Sequence, residues 1–218
     1  MIVACVWVEG NVPFTADYVS RLRNMVRRNL PLDHRFVCFT DRPYQIPDIE
    51  SRVIPTPQGM FGWWAKLHLF APGQTTYFDG DTILYLDLDV LVVNSLYPLA
   101  QIEPPELMLV PDEGVFQGGG GRRVIKKYNS SVMLFPAAAH CELFTRWTPA
   151  VTERLWGDQD WIAEVLPNLV TMPARWFPRI SNIGAEKHKA AGARIVLCKR
   201  PKNHIAAAMW PWVRDVWV

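Results

Sequence analysis

Two carboxylates separated by one residue end the most strand-like stretch of this 218-residue sequence. Asp87 and Asp89 close the apolar run ILYLDLD, so a buried strand would deliver both to its carboxyl end. On a regular strand two residues at this spacing share a face, and neighbouring anions repel unless a countercharge is present. A divalent cation such as Mn²⁺ or Mg²⁺ supplies that charge, and its open positions can hold a diphosphate. The pair therefore indicates a metal site, the alternative being two solvent-facing aspartates.

The elements that would position this pair predict an α/β fold with a mixed, mostly parallel sheet flanked by helices. The apolar runs MIVACVWV and RFVCFT are typical of strands buried on both faces. Between them we expect a helix from an N-cap at Thr15 to about Asn29, ended by Pro31. One face of that helix is apolar: Tyr18, Leu22, Met25 and Val26.

Further elements follow along the chain. RVIP (52–55) predicts a short third strand, and TILYLDLDVLVV (82–93) predicts one long strand. Between them GWWAKLHLF indicates a loop entering a short helix, with Lys66 exposed near its start. ELMLV, NSSVMLF and ARIVLC predict strands, and we expect helices over about 139–156 and from Asp158. The Trp-rich tail is expected to pack back onto the body, which gives a single domain over 1–218.

Composition excludes several classes of protein. The net charge is +2, with 50% apolar and 20% charged residues, which argues against a disordered chain and against a general nucleic-acid coat. No apolar run reaches the ~18–20 residues of a membrane span, and the apolar N-terminus lacks the basic residues of a signal peptide. Four separated cysteines without a C-x-x-C pair predict a reducing, cytoplasmic setting. Ten tryptophans indicate a cleft or interface as well as a core.

Five ordered motifs resemble those of a known enzyme family. YLDLDVLVV resembles the D-x-D segment of GT-A-fold glycosyltransferases, and CFTD, GWWAKLHLF, NSSVMLF and GDQDWI occur around it in the same order. Together they resemble the glycogenin-like retaining nucleotide-sugar transferases, in a bacterial and phage branch with a W-W-x-K-L segment. The resemblance covers residue 1 to about 204. It implies a nucleotide-binding half (1–95), an acceptor and sugar half (96–204) and a Trp-rich tail (205–218).

The resemblance implies a role for residues along the nucleotide half. Asp87 and Asp89 would bind Mn²⁺ or Mg²⁺, and Asp87 would also touch the ribose of a UDP-sugar. Thr40 and Asp41 fall where the family contacts the nucleoside, although a strand-to-turn transition also explains them. Lys66 matches a basic position that contacts the donor, and a point charge suits a diphosphate. Its alternative is a solvated helix-face lysine. Trp63 and Trp64 could wall the donor pocket or pack in the core, and we favour packing for one of them.

Residues in the second half would surround the transferred sugar. Asn129 and Ser130 match the start of the family's N-S/A-G segment, with Ser131 in place of glycine. Asp158 and Gln159 match a D-Q pair beside the sugar ring, and Asp158 could equally serve as a helix N-cap. A neutral amide such as Gln159 is a poor nucleophile. We therefore expect a front-face reaction with retention, in which the protein positions the reactants and stabilises the departing diphosphate.

The sequence departs from the family at its C-terminal motif. Relatives carry a histidine there that completes the metal site, whereas counting back from His204 in IVLCKRPKNH places Cys198 at that position. A thiolate matches Mn²⁺ or Mg²⁺ poorly. Water, His204 or the charges of Lys199 and Arg200 would then take over the missing ligand's part.

The acceptor is the least determined feature. A saccharide or glycolipid hydroxyl is the first expectation. Basic residues at 122–127 and 199–202 keep a hydroxymethylated pyrimidine in DNA as an alternative acceptor. Residues 118–121 are expected to form a loop over the site, the alternative being a hairpin tip. A haloacid-dehalogenase-like phosphatase also uses D-x-D, but near its N-terminal strand. An inactive sugar-nucleotide-binding protein is the remaining alternative.

Overall fold

Eight strands are defined in the part of the chain that the structure describes. The structure is a computed structural model that describes residues 1–8, 14–55, 60–78, 80–112, 124–125, 127–137, 139–198 and 210–218. The strands are β1 (Ile2–Trp7), β2 (Arg35–Thr40), β3 (Glu50–Val53), β4 (Thr82–Leu86), β5 (Leu91–Val92), β6 (Met108–Pro111), β7 (Tyr128–Pro136) and β8 (Ile195–Val196).

Six of these strands form one mixed sheet in the order β3-β2-β1-β4-β7-β6. The strands β1 to β4 run parallel to one another, while β7 is antiparallel to β4 and to β6. The carboxyl ends of β1, β2 and β4 therefore share an edge with the amino end of β7. In open α/β sheets this is the edge at which ligands bind.

Both faces of the sheet are covered, as the continuous apolar runs predict. Along β1, Val3 and Cys5 point into one core with α1, while Ile2 and Ala4 point into a second core. The predicted apolar face of α1 is confirmed, because Tyr18, Leu22, Met25 and Val26 are all buried. The α-helices are α1 (Ala16–Asn29), α2 (Pro72–Phe78), α3 (Tyr97–Ala100), α4 (Glu142–Thr145), α5 (Pro149–Arg154), α6 (Asp158–Val165), α7 (Ile180–Ile183) and α8 (Pro211–Val216).

Three segments within the described residues are 3₁₀ helices, and the longest was not predicted in this form. Gly62–Phe70 forms a nine-residue 3₁₀ helix instead of a loop and short helix, and Lys66 in it is buried rather than exposed. The shorter ones are Ala174–Trp176 and Lys187–Ala190. None of the helices in the described ranges is long and apolar enough to cross a membrane.

The predicted strand over residues 82–93 is divided in two. β4 ends at Leu86, residues 87–90 form a turn, and β5 pairs with β8 in a separate two-stranded sheet. The amide of Asp87 still donates to the carbonyl of Ser131 at 2.8 Å, and that of Val90 turns back to the carbonyl of Asp87 at 3.4 Å. The two aspartates therefore lie in a turn, not on one face of a strand.

Other boundaries also differ from the sequence prediction. Instead of one helix over 139–156, α4 and α5 are separate, because Pro149 holds the preceding Thr148 in an extended conformation. β3 begins two residues before RVIP, and only two residues of ARIVLC pair as a strand. Gly157 is the N-cap of α6, so Asp158 is the first helical residue and not the cap.

The end of the chain packs onto the body, as the sequence predicted. In α8, Trp212 is buried and its indole N–H donates to the carbonyl of Gly184 at 3.1 Å. Arg21 of α1 donates to the carbonyl of Trp217 at 2.7 Å, and its guanidinium lies 4.6 Å above the centre of the Trp217 ring.

Candidate active site

A buried lysine lies at the ligand-binding edge of the sheet. The ammonium nitrogen of Lys66 is 3.0 Å from a carboxylate oxygen of Asp87, 3.4 Å from one of Asp158 and 3.2 Å from the hydroxyl of Ser130. The side chain of Lys66 is 7% exposed. We call these four residues, Lys66, Asp87, Ser130 and Asp158, the lysine cluster.

The lysine of this cluster is a charged group. Burial lowers the pKa of Lys66, but attraction by Asp158 and Asp87 outweighs it and raises the pKa to about 12. A lysine buried without such partners would tend to lose its proton. The site therefore holds a fixed positive charge between two carboxylates.

The 3₁₀ helix determines where Lys66 points. With three residues per turn, side chains at i and i+3 lie above one another. Trp64, Leu67 and Phe70 follow this spacing and are buried in the second core. Lys66 shares its side of the helix with Trp63, which is 42% exposed. Packing of Trp64 against Trp147, with ring centres 6.4 Å apart, gives one tryptophan the core role expected for the pair.

Helix α6 supplies Asp158 and is fixed by Asp160. The carboxylate of Asp160 accepts hydrogen bonds from the backbone N–H of Gly157 at 3.1 Å and of Ile125 at 2.6 Å. Burial raises the pKa of Asp160 to about 6 and also raises that of Asp158, where Lys66 opposes the shift. Asp160 was not among the predicted site residues, yet its side chain caps the helix that presents Asp158.

Tyr85 is a second residue that the motifs did not identify as part of the site. Its buried hydroxyl donates to a carboxylate oxygen of Asp87 at 2.7 Å. Tyr85 and Asp87 are two residues apart at the end of β4, and this spacing was the available signal. Tyr85 and Lys66 together fix the Asp87 carboxylate.

Asp89 and Cys198 lie together beyond the lysine cluster. β5 pairs with β8 through Leu91–Val196 and Val92–Ile195, and this pairing brings Cys198 close enough to Asp89 to feel its charge. Burial and the negative charge of Asp87 raise the pKa of Asp89 to about 8, with only partial relief from Lys66. Burial and the charge of Asp89 raise the pKa of the Cys198 thiol.

Asp87 and Asp89 fit a hard divalent cation, because their carboxylates are oxygen donors and, among the described residues, only Lys66 offsets their negative charge. The Cys198 thiol does not suit Mn²⁺ or Mg²⁺. In the described part of the chain, no three His, Cys, Asp or Glu residues are arranged as a metal site. His204 and the basic residues at 199–202 lie outside the described residues, as do residues 118–123 and Lys126.

The remaining predicted residues have local partners. The hydroxyl of Thr40 donates to the carbonyl of Arg42 at 2.7 Å, and the Asp41 carboxylate is 3.4 Å from the Arg42 guanidinium. Asn129 accepts the Ser131 N–H at 2.9 Å. Gln159 is half-buried in the first turn of α6. Thr40 is the last residue of β2 and Asp41 follows it. β2 is two strands from β4 in the sheet, so both residues lie along the same sheet edge as the cluster.

Comparison with known proteins identifies the fold. No protein-family model matches the sequence, and no curated protein does. Among solved structures, the galactosyltransferase LgtC in complex with donor and acceptor sugar analogs is 14% identical with a TM-score of 0.68, over 100% of this chain and 97% of that one. The glycosyltransferase GlyE of Streptococcus pneumoniae TIGR4 is 12% identical with a TM-score of 0.61, over 98% and 63%.

A third similar structure is the bifunctional glycosyltransferase WbbM, 13% identical with a TM-score of 0.61 over 99% of this chain and 50% of that one. At these identities the similarity concerns the fold. The chain has the GT-A type of α/β fold that these glycosyltransferases share.

The buried lysine generates a prediction about stability. Lys66→Met would leave Asp87 and Asp158 buried without a cation, so we expect the free energy of unfolding at pH 7 to fall by about 3–5 kcal/mol. Urea denaturation measures this. Adding Asp87→Asn and Asp158→Asn to the Lys66→Met variant should restore part of the loss, because no unpaired charge then remains.

Lys187→Met is the matched control, since Lys187 is exposed and the change should stay within about 0.5 kcal/mol. An unfolding free energy for Lys66→Met equal to that of the control would contradict the buried ion pairs.

Proposed function

We propose that this protein is a glycosyltransferase that moves a sugar from a nucleotide diphosphate, with a UDP-sugar as the first choice of donor, to a hydroxyl acceptor. The observation that carries the proposal is the lysine cluster at the ligand-binding edge of a GT-A-type sheet. Lys66 supplies a fixed positive charge for a diphosphate, Asp87 and Asp89 can hold a countercharge, and Asp158 and Ser130 offer hydrogen-bonding groups to a polyhydroxylated ring.

Each part of the cluster has a task in this proposal. When bound, Mn²⁺ or Mg²⁺ held by Asp87 and Asp89 would offset diphosphate charge. Lys66 adds a positive charge that needs no reorganisation as the sugar–phosphate bond breaks and negative charge grows on the leaving group. The Asp158 carboxylate accepts hydrogen bonds from sugar hydroxyls, and the Ser130 hydroxyl donates to or accepts from them. Thr40 and Asp41 contact the nucleoside, and Asn129 lies beside the transferred sugar.

Transfer with retention is the proposed stereochemical course. The acceptor hydroxyl attacks the anomeric carbon from the face that the diphosphate leaves, and its proton passes to a leaving phosphate oxygen. A neutral amide is a poor nucleophile, so Gln159 does not form a covalent intermediate. Its amide oxygen instead stabilises the positive charge that develops on the sugar ring. The chain's main contribution is then positioning and electrostatics.

A saccharide or glycolipid is the proposed acceptor. The alternatives, hydroxymethylated DNA, a phosphatase and an inactive binding protein, gain no support from the similar structures. The phosphatase would need the D-x-D after an N-terminal strand, whereas here the motif follows β4. A melting-temperature screen with UDP-sugars and Mn²⁺ would identify the donor through its stabilisation of the folded state.

The metal role of Asp89 gives a direct test. Asp89→Asn should lower the release of nucleoside diphosphate from a UDP-sugar with Mn²⁺ by about a hundred-fold or more. The fold should stay intact, because burial already disfavours the charged form of this side chain. Turnover is followed by nucleoside diphosphate release, and folding by the urea midpoint.

Asp215→Asn, at an exposed aspartate in α8, is the control and should match the wild-type rate. Full activity in Asp89→Asn would contradict the metal assignment. Release of phosphate from simple monoesters, without cleavage of any UDP-sugar, would favour the phosphatase instead.

The placement of Cys198 gives a second test. Cys198→His should tighten Mn²⁺ binding, because imidazole is a better ligand than a neutral thiol for this cation and the position lies near Asp89. Titration calorimetry of the donor-free protein with MnCl₂ measures the affinity without reference to activity. Cys141→His, at an exposed cysteine, provides the same chemical change away from the site. Equal affinities in both variants would refute the third-ligand position.

A further inference from the structure

An exposed tryptophan adjoins the lysine cluster. Trp63 is 42% exposed, whereas the neighbouring Trp64 is 4% exposed and packs in the core. Phe61, two residues earlier, is 56% exposed. Large aromatic side chains gain much free energy from burial, so an indole left open beside a polar cluster indicates a ligand surface.

Contacts fix the place of the Trp63 indole. In the 3₁₀ helix it shares a side with Lys66, one turn away. A Cβ atom at Gly157 would lie 3.5 Å from the indole nitrogen, so Trp63 packs against the backbone just before Asp158. The indole therefore stands beside the Asp158 end of the cluster.

The order of elements along the sheet edge determines what would meet this surface. Thr40, at the end of β2, lies at one end of this series. Asp87 after β4 comes next along the edge and Ser130 in β7 follows it. Asp158 of α6 is hydrogen-bonded to Ser130 and lies at the other end. If the nucleoside lies at the Thr40 end, as the proposed function requires, the transferred sugar lies near Asp158. Trp63 packs against Gly157 at the Asp158 end and is therefore at the part of the edge that the nucleoside leaves free. An acceptor held there can still turn its hydroxyl to the face of the sugar that the diphosphate leaves.

The chemistry of the surface favours one acceptor class. An aromatic face is apolar and electron-rich, and a pyranose presents a face of C–H groups with its hydroxyls at the rim. Stacking would cover the C–H face and leave the reacting hydroxyl free. A polyanionic acceptor is disfavoured, because the charged groups described here are the carboxylates of Asp87 and Asp158 against one lysine.

We propose that Trp63 is the platform on which a pyranose ring of the acceptor saccharide stacks, a proposal that rests on the proposed function. The probes are methyl β-D-galactoside, methyl β-D-glucoside and lactose at millimolar concentrations, added to the protein with Mn²⁺ and the UDP-sugar it hydrolyses. We expect a glycoside to accelerate UDP release above the hydrolysis rate.

In Trp63→Ala the half-saturating glycoside concentration should rise about ten-fold, the order of magnitude expected from loss of one stacking ring. Each variant is compared with its own hydrolysis rate. Trp63→Phe should recover most of the affinity, because it restores an aromatic face. Tyr97→Ala, at an aromatic residue with 45% exposure in α3, is the control and should behave as wild type.

A direct binding measurement separates this proposal from the glycosyltransferase assignment. In protein labelled with 5-fluorotryptophan, the Trp63 fluorine resonance is identified by its loss in Trp63→Phe, and the glycoside should shift it in the presence of UDP. Hydrolysis of a UDP-sugar with neither acceleration nor shift by any glycoside would overturn the platform and leave the glycosyltransferase standing. A shift without hydrolysis of any UDP-sugar would uphold saccharide binding and overturn the enzyme assignment.

An unchanged half-saturating concentration in Trp63→Ala would also overturn the platform. So would acceleration by DNA carrying hydroxymethylated pyrimidines when none of the glycosides has an effect.

Discussion

The ion pairs of Lys66 connect the elements that form the candidate site. One ammonium group joins the 3₁₀ helix to the end of β4 through Asp87, to β7 through Ser130 and to α6 through Asp158. These elements are far apart in the sequence, and each would carry an uncompensated buried polar group if another were displaced. The cluster therefore requires the 3₁₀ helix to lie against β7 and α6 in one arrangement. Apolar packing of Trp64, Leu67 and Phe70 holds the same helix from its other side.

The charge of the cluster is balanced only in part. Lys66 faces both Asp87 and Asp158, and Asp89 lies next to Asp87 with a pKa raised to about 8. Ionising Asp89 beside Asp87 would leave three carboxylates against one lysine, so the charged form of Asp89 needs a further cation. A nucleoside diphosphate brings two or more negative charges and would increase that need. Metal and donor are therefore expected to bind together, each reducing the charge that opposes the other.

Much of the architecture could be predicted from the sequence because it follows from local patterns. The alternation of Val3 and Cys5 with Ile2 and Ala4, and the apolar face of α1, are properties of a few neighbouring residues. The D-x-D motif follows β4, at the carboxyl edge of the parallel strands, as the apolar run before it predicted. The burial of Lys66 was not predictable in this way, since it depends on Asp87 and Asp158, which lie 21 and 92 positions further along the chain. Tyr85 and Asp160 were missed because a tyrosine in a strand and an aspartate in a helix have ordinary structural uses.

The division of the strand after Leu86 explains why Cys198, near the end of the described chain before residue 199, lies close to Asp89. Had residues 82–93 continued as one strand, Asp89 would have remained in the central sheet beside β7 and far from Cys198. Instead the turn at 87–90 directs β5 into a second sheet, where antiparallel pairing with β8 brings Cys198 near Asp89. The interruption of the strand thus connects residues 91–92 to residues 195–196. The electrostatic effect of Asp89 on the Cys198 thiol therefore depends on this short sheet, which holds the two segments side by side.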